Sequence, residues 1–202
     1  MAYYHNLITD KSWQLLKKLE SSYEFVLIGG WAVFLYTQSL KSKDIDLMIE
    51  YDELEKLKNE FEVTKNDRLK KYEAKSGEIE VDIYLPFYSN PGIPAEDIAE
   101  ATVSVEGFRL PAKEILAVLK GKALENRAET VKGRKDLIDL ISLFSLADFE
   151  WEKYKTALAR YKLEKQGEYV KGILTKTAHM TELGLNVHRM AALKRKILLH
   201  LA

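Results

Sequence analysis

The sequence predicts an α/β chain: a small mixed sheet with flanking helices over residues 1–110, then a helical bundle over residues 111–202. Three observations predict it. Residues 26–48 read as strand, Gly-Gly, apolar helix, strand. Residues 69–110 alternate apolar and polar side chains between short turns. After Pro111 the apolar spacing is helical almost to the end, with no further proline.

Taken in order, residues 7–19 place Leu7, Trp13, Leu15, Leu16 and Leu19 at helical spacing, with Thr9 or Asp10 as the expected N-cap. Residues 25–28 are an apolar run expected as a buried strand, ended by Gly29-Gly30, and residues 31–40 continue as a helix. In residues 44–48 the alternation puts Asp44 and Asp46 on one side, Ile45 and Leu47 on the other. Asp52 is expected to cap a short helix reaching Leu57. Residues 61–63 start a strand that Lys65-Asn66-Asp67 should break. Two strands follow, residues 69–74 and 78–87, joined by a turn at Ser76-Gly77. Ile79, Val81, Ile83 and Leu85 alternate there with Glu80, Asp82 and Tyr84, and Pro86 ends the strand. Residues 89–94 form a loop, and residues 101–110 a hairpin about Glu106-Gly107. Pro111 should open the first turn of a helix. Helices are expected over 112–127, 132–146, 151–163, 168–177 and 186–200.

Composition narrows the function. The apolar fraction of 47% supports a packed core. A formal net charge of zero argues against wholesale binding to a phosphate backbone, so nucleic acid would need a local basic patch. The absence of cysteine excludes disulfides, thiolate metal sites and a cysteine nucleophile. The N-terminal residues read as no signal peptide, and no apolar run suffices to span a membrane, so the expected location is the cytoplasm.

Asp44 and Asp46, two apart on one strand, can converge on a single hard cation such as magnesium. Two glycines before a helix let the backbone approach a phosphate closely. Asp82, facing away from its apolar neighbours, is the candidate third carboxylate, and Glu80 competes with it. Lys120 and Arg127 lie seven apart and share a helix face, as do Asp136 and Asp139, three apart. The plain alternative is a salt-bridged helix pair. His5, His179, His188 and His200 lack metal-ligand spacing. Trp31 is expected in the core and Tyr36 in packing. The Lys- and Tyr-containing residues 153–171 read more readily as a solvated helix face than as an RNA surface.

Ile28-Gly29-Gly30, a gap of thirteen residues, then Asp44-Ile45-Asp46 resembles the signature of the DNA polymerase β-like nucleotidyltransferase superfamily. Lys120, Ala123, Leu124 and Arg127, followed by Lys135, Asp136 and Asp139, resemble the second-half motifs of the AbiEii/AbiGii toxin-type nucleotidyltransferases. The resemblance covers residues 25–143. It implies a nucleotidyltransferase fold and transfer of a nucleoside monophosphate from a nucleoside triphosphate, such as ATP or GTP, to a hydroxyl, with release of pyrophosphate. It implies a two-metal Mg2+ site on Asp44, Asp46 and Asp82, with Asp82 also helping to deprotonate the acceptor. Gly29 and Gly30 would cradle the phosphates, and Lys120 and Arg127 would neutralise the triphosphate. Asp136 and Asp139 would orient Lys120 or contact a base or hydroxyl. The implied acceptor is RNA, tRNA in particular, in a toxin paired with an antitoxin protein. The greater Lys and Arg content of the second half suits an RNA acceptor. An aminoglycoside-like or protein hydroxyl stays open, as does a non-catalytic nucleotide- or partner-binding module. Trp31 departs from the small residue common at that position.

Overall fold

The computed structural model describes residues 2–100 and 102–201, with side chains from Asn6 onward; His5's side chain and the expected hairpin start at Ala101 lie outside the described residues. The chain divides into two compact units, Met1–Ala112 and Lys113–Ala202.

The first unit is α+β. Its strands are β1 (Val26–Ile28), β2 (Ile45–Met48), β3 (Val63–Asn66), β4 (Lys71–Ser76) and β5 (Ile79–Tyr84), in the sheet order β1-β2-β5-β4-β3. The β2–β5 pair is parallel and the others are antiparallel, so the sheet is mixed. All three residues of β1 are buried, while β5 buries Ile79, Val81 and Ile83 and leaves the intervening residues more accessible. That alternation marks a sheet with one covered face. Helices α1 (Ala2–Glu20), α2 (Gly29–Thr37), α3 (Tyr51–Glu60) and α4 (Ala95–Glu100) complete the unit with the hairpin β6 (Thr102–Val105) and β7 (Phe108–Pro111). Leu16 and Leu19 of α1 and Leu54 and Leu57 of α3 are buried. Trp31 is core, as expected. Its indole N–H donates to Ser12 Oγ at 2.9 Å, and its ring stands 5.0 Å from that of Trp13. Tyr36 is a packing residue whose hydroxyl donates to the Pro111 carbonyl at 2.9 Å. Glu106 and Gly107 both take positive φ, as a tight two-residue hairpin turn requires.

Several boundaries differ from the sequence expectation, each for a local reason. Thr9 caps nothing, because α1 starts earlier and the Thr9 hydroxyl donates back to the Asn6 carbonyl within the helix. Helix α2 starts at Gly29 itself and stops at Thr37, where Gln38 turns left-handed. Asp52 is not a cap; it lies in the first turn of α3, where its negative charge complements the positive end of the helix dipole. Lys65 and Asn66 extend β3 rather than break it, because they pair with Tyr72 and Lys71. The β4–β5 turn is Gly77-Glu78, one residue later than expected. Pro111 ends β7 instead of opening a helix. Helix α4 was not expected.

The second unit is helical: α5 (Lys113–Arg127), α6 (Val131–Phe144), α7 (Trp151–Arg160), α8 (Glu164–Lys176) and α9 (Val187–His200). The Thr130 hydroxyl accepts from the Gly133 N–H at 3.0 Å and caps α6. Leu116, Ala117, Leu140, Ile141, Val170 and Leu174 are fully buried. Phe144, Phe149, Trp151 and Tyr154 form an aromatic cluster, and His200 stacks on Trp151 with ring centroids 5.0 Å apart. No described helix is long and apolar enough to cross a membrane.

Candidate active site

The parallel pairing of β2 with β5 builds the acidic site. The register sets Asp46 directly beside Asp82, and Ile45 and Leu47 beside Val81 and Ile83. Side chains alternate, so sinking the four apolar residues turns both carboxylates to the opposite face. Asp44 sits in the bend just before β2 and keeps the alternation: it and Asp46 are half-buried while Ile45 and Leu47 are buried.

Gly29 fits against this site from the side of α2. Its φ is +68°, and a Cβ placed there would lie 1.9 Å from Asp46 Oδ2. Only glycine satisfies both constraints, the backbone conformation and the close approach of the carboxylate. Gly30, the next residue, is buried. The Gly-Gly pair and the Asp-x-Asp strand, remote in sequence, thus meet at one point.

Two carboxylates in adjacent strands repel. Burial, then the charge of Asp46, pushes Asp82 up to about 6, against the opposing pull of Lys71. Lys71 Nζ lies 2.7 Å from Asp82 Oδ2 and 3.0 Å from a carboxylate oxygen of Glu73. Asn66 Nδ2 donates to the same Glu73 oxygen at 2.9 Å. Burial works to lower the Lys71 pKa, but hydrogen bonds to Asp82 and Glu73 and their charges outweigh it and leave it raised.

The donor chemistry of Asp44, Asp46 and Asp82 fits a hard divalent cation: oxygen ligands only, like-charged and part-buried. The geometry is open. Among the described residues no group of three or more acidic, histidine or cysteine side chains is drawn close enough to hold a metal ion. Glu80, the competing carboxylate, is exposed. It alternates in β5 as Asp82 does, but pairs across with Lys75 of β4.

The second unit gathers the other candidates. Lys120 on α5 is 7% exposed, and its ammonium lies 3.1 Å from Asp136 Oδ1 and 2.6 Å from Asp139 Oδ2, both on α6. Arg127 grips the same Asp136 with two hydrogen bonds, from Nε at 2.7 Å and from Nη2 at 3.2 Å. Asp136 and Asp139 are essentially inaccessible, whereas the Arg127 side chain is 41% exposed. The four residues form a buried interhelical ion network. Of the histidines with described side chains, His200 stacks in the aromatic cluster.

Sequence reasoning missed Lys71, Glu73 and Asn66. The signal was countable. A two-residue turn at Gly77-Glu78 sets Glu73 opposite Asp82, and alternation puts Lys71 on that same face.

No protein-family model matches the chain, and no curated protein matches it. Among solved structures, an antigenic nucleotidyltransferase-like protein from Paracoccidioides brasiliensis gives a TM-score of 0.42 at 17% identity, over 89% of this chain and 93% of that one. The chain is similar in fold to JHP933 from Helicobacter pylori, with a TM-score of 0.53 at 15% identity, over 95% of this chain and 91% of that one.

Proposed function

We propose that the chain is a nucleotidyltransferase that moves a nucleoside monophosphate from a nucleoside triphosphate to a hydroxyl. The observation that carries the reading is the meeting of Gly29 with Asp46, and of Asp46 with Asp82, on one sheet face. The missing side chain at Gly29 is what lets the Asp46 carboxylate come this close to the start of α2. Residues 1–110 are read as the catalytic domain and residues 111–202 as an accessory helical domain.

In this reading Asp44, Asp46 and Asp82 hold Mg2+, which when bound supplies charge to the transferring phosphoryl group. Gly29 and Gly30 receive the phosphates at the start of α2, whose N–H groups favour an anion. Asp82 takes the proton of the incoming hydroxyl. Burial and the Asp46 charge raise its pKa in the metal-free site, and a bound cation would pull it down again. The second-unit residues for which the resemblance implies nucleotide contact, Lys120, Arg127, Asp136 and Asp139, are engaged with one another, so we read them as structural support of the helical unit.

We assign the acceptor to RNA, with tRNA the first candidate, in a cytoplasmic toxin held by an antitoxin. The basic content of the second half supports this choice. The test is transfer of labelled nucleotide, with magnesium, into total tRNA, total protein and an aminoglycoside panel. Label in tRNA, lost in Asp46→Asn, is expected. Label confined to protein or drug replaces the acceptor. No label in any pool removes the enzymatic reading in favour of a binding module.

A further inference from the structure

Lys71 belongs to no motif, yet it reaches the centre of the acidic face. It projects from β4 on the same side as Glu73, the residue opposite Asp82, and so is the diagonal neighbour of Asp82. Its side chain is only 12% exposed, against 23% for Asp82. Its ammonium bridges Asp82 at 2.7 Å and Glu73 at 3.0 Å. Glu73 is in turn held by Asn66.

We propose that Lys71 is a resident cation of this site, bound to Asp82 when no metal is present, and that a divalent ion gains Asp82 by driving the ammonium over to Glu73. This rests on the reading of Asp82 as a metal ligand. The physical argument is one of charge. Asp46 and Asp82 lie side by side, and a cation between strands offsets their repulsion. The Lys71 ammonium supplies it from within the chain. A metal ion and an ammonium cannot share the same carboxylate oxygen, so they compete for Asp82. Glu73, already within hydrogen-bond distance, receives the displaced ammonium without leaving a part-buried charge alone. Loss and gain of metal then amount to a short lateral movement of one side chain.

The test is Mn2+ binding, followed by calorimetry and by the electron paramagnetic resonance of free Mn2+, on the full chain without nucleotide. Lys71→Met removes the competitor and should tighten Mn2+ roughly tenfold or more, the equivalent of one charge-assisted hydrogen bond. Glu73→Gln removes the landing place and should weaken Mn2+ binding. Lys71→Arg keeps the competitor and should stay near wild type, which guards against a folding artefact in the methionine variant. In an Asp82→Asn background Lys71→Met should no longer tighten binding. Failure of Lys71→Met to tighten Mn2+, with wild type still binding it through Asp46, overturns the role of Lys71 and leaves the metal site standing. Absence of Mn2+ binding in wild type and every variant overturns both.

Discussion

On the open face of the five-stranded sheet, the carboxylates of Asp46 and Asp82 lie side by side, the Lys71 ammonium pairs with Asp82 and Glu73, and Asp82 is left with a raised pKa. Between α5 and α6, two cations meet two carboxylates, Lys120 and Arg127 with Asp136 and Asp139, and the sum is neutral. The first cluster is half-accessible; in the second Lys120, Asp136 and Asp139 are buried while the Arg127 side chain reaches solvent. Buried charge is tolerated when it is balanced and hydrogen-bonded. A part-exposed set that repels itself is a candidate for binding a cation. The contrast separates an accessible, self-repelling acidic pair from a balanced ion network between helices, although the sequence offers the same residue types for both.

The contrast breaks most visibly through activity. Asp44→Asn and Asp46→Asn should reduce nucleotide transfer to background while the melting temperature stays close to wild type, since neither half-buried side chain has an apolar packing role. A variant that stays near wild type in transfer returns the acidic site to an ordinary sheet face.

The ion network should respond in the opposite sense. Lys120→Met leaves two buried carboxylates without their ammonium and should cost about 3–5 kcal/mol in denaturant unfolding. Replacing Lys120 and Asp139 together by apolar residues should recover much of that loss. A Lys120→Met protein of unchanged stability, but with weakened triphosphate binding, would make the network a nucleotide site instead of a structural support.

A smaller effect is set by pH. The Asp82 pKa in the folded chain lies near 6, above its ordinary value of 3.8. The folded state therefore holds this proton more tightly than the unfolded one. The stability this contributes is fully present below about pH 4 and is lost as the pH rises through 6, by at most about 3 kcal/mol. In metal-free protein the stability of Asp82→Asn relative to wild type should accordingly grow between pH 4 and pH 7. A flat difference across that window would mean that Lys71 fully offsets both burial and the charge of Asp46.

Gly29→Ala sharpens the comparison at the finest scale. Left-handed backbone at a non-glycine residue costs about 1–2 kcal/mol, and the added methyl must also push Asp46 aside. Transfer should fall much further than this stability loss alone explains. Equal, modest losses in both would mean that Gly29 serves the turn and not the carboxylate.

The residues of the acidic site were legible because their signal is local. Gly-Gly after a buried run and Asp-x-Asp within an apolar alternation each declare their geometry over a few positions. Asp82 was legible through its own alternation in β5. Lys71 was missed because its role depends on register across a hairpin, which alternation along a single strand does not report; a turn at either Ser76-Gly77 or Gly77-Glu78 puts it on the face of Asp82, directly opposite in the first case and diagonal in the second. The ion network was legible as two helix faces but not as buried, since spacing along a helix says nothing about what covers it. Helix α4 escaped notice because six residues carry too little periodicity to separate from a loop.

The order of the sheet also governs how the site comes into being. Strands β4 and β5 meet through a two-residue turn, a contact that a folding chain reaches early. Strands β2 and β5 are neighbours only after α3, β3 and β4 have been placed between them in sequence, and parallel pairing of this kind is slow. Asp46 and Asp82 therefore lie apart in any intermediate that has only its hairpins. Their repulsion arises at the moment the sheet closes, after Lys71, carried on the early hairpin, is already beside Asp82. Cation binding during refolding should thus report closure of the β2–β5 seam, a late step, rather than collapse of the chain.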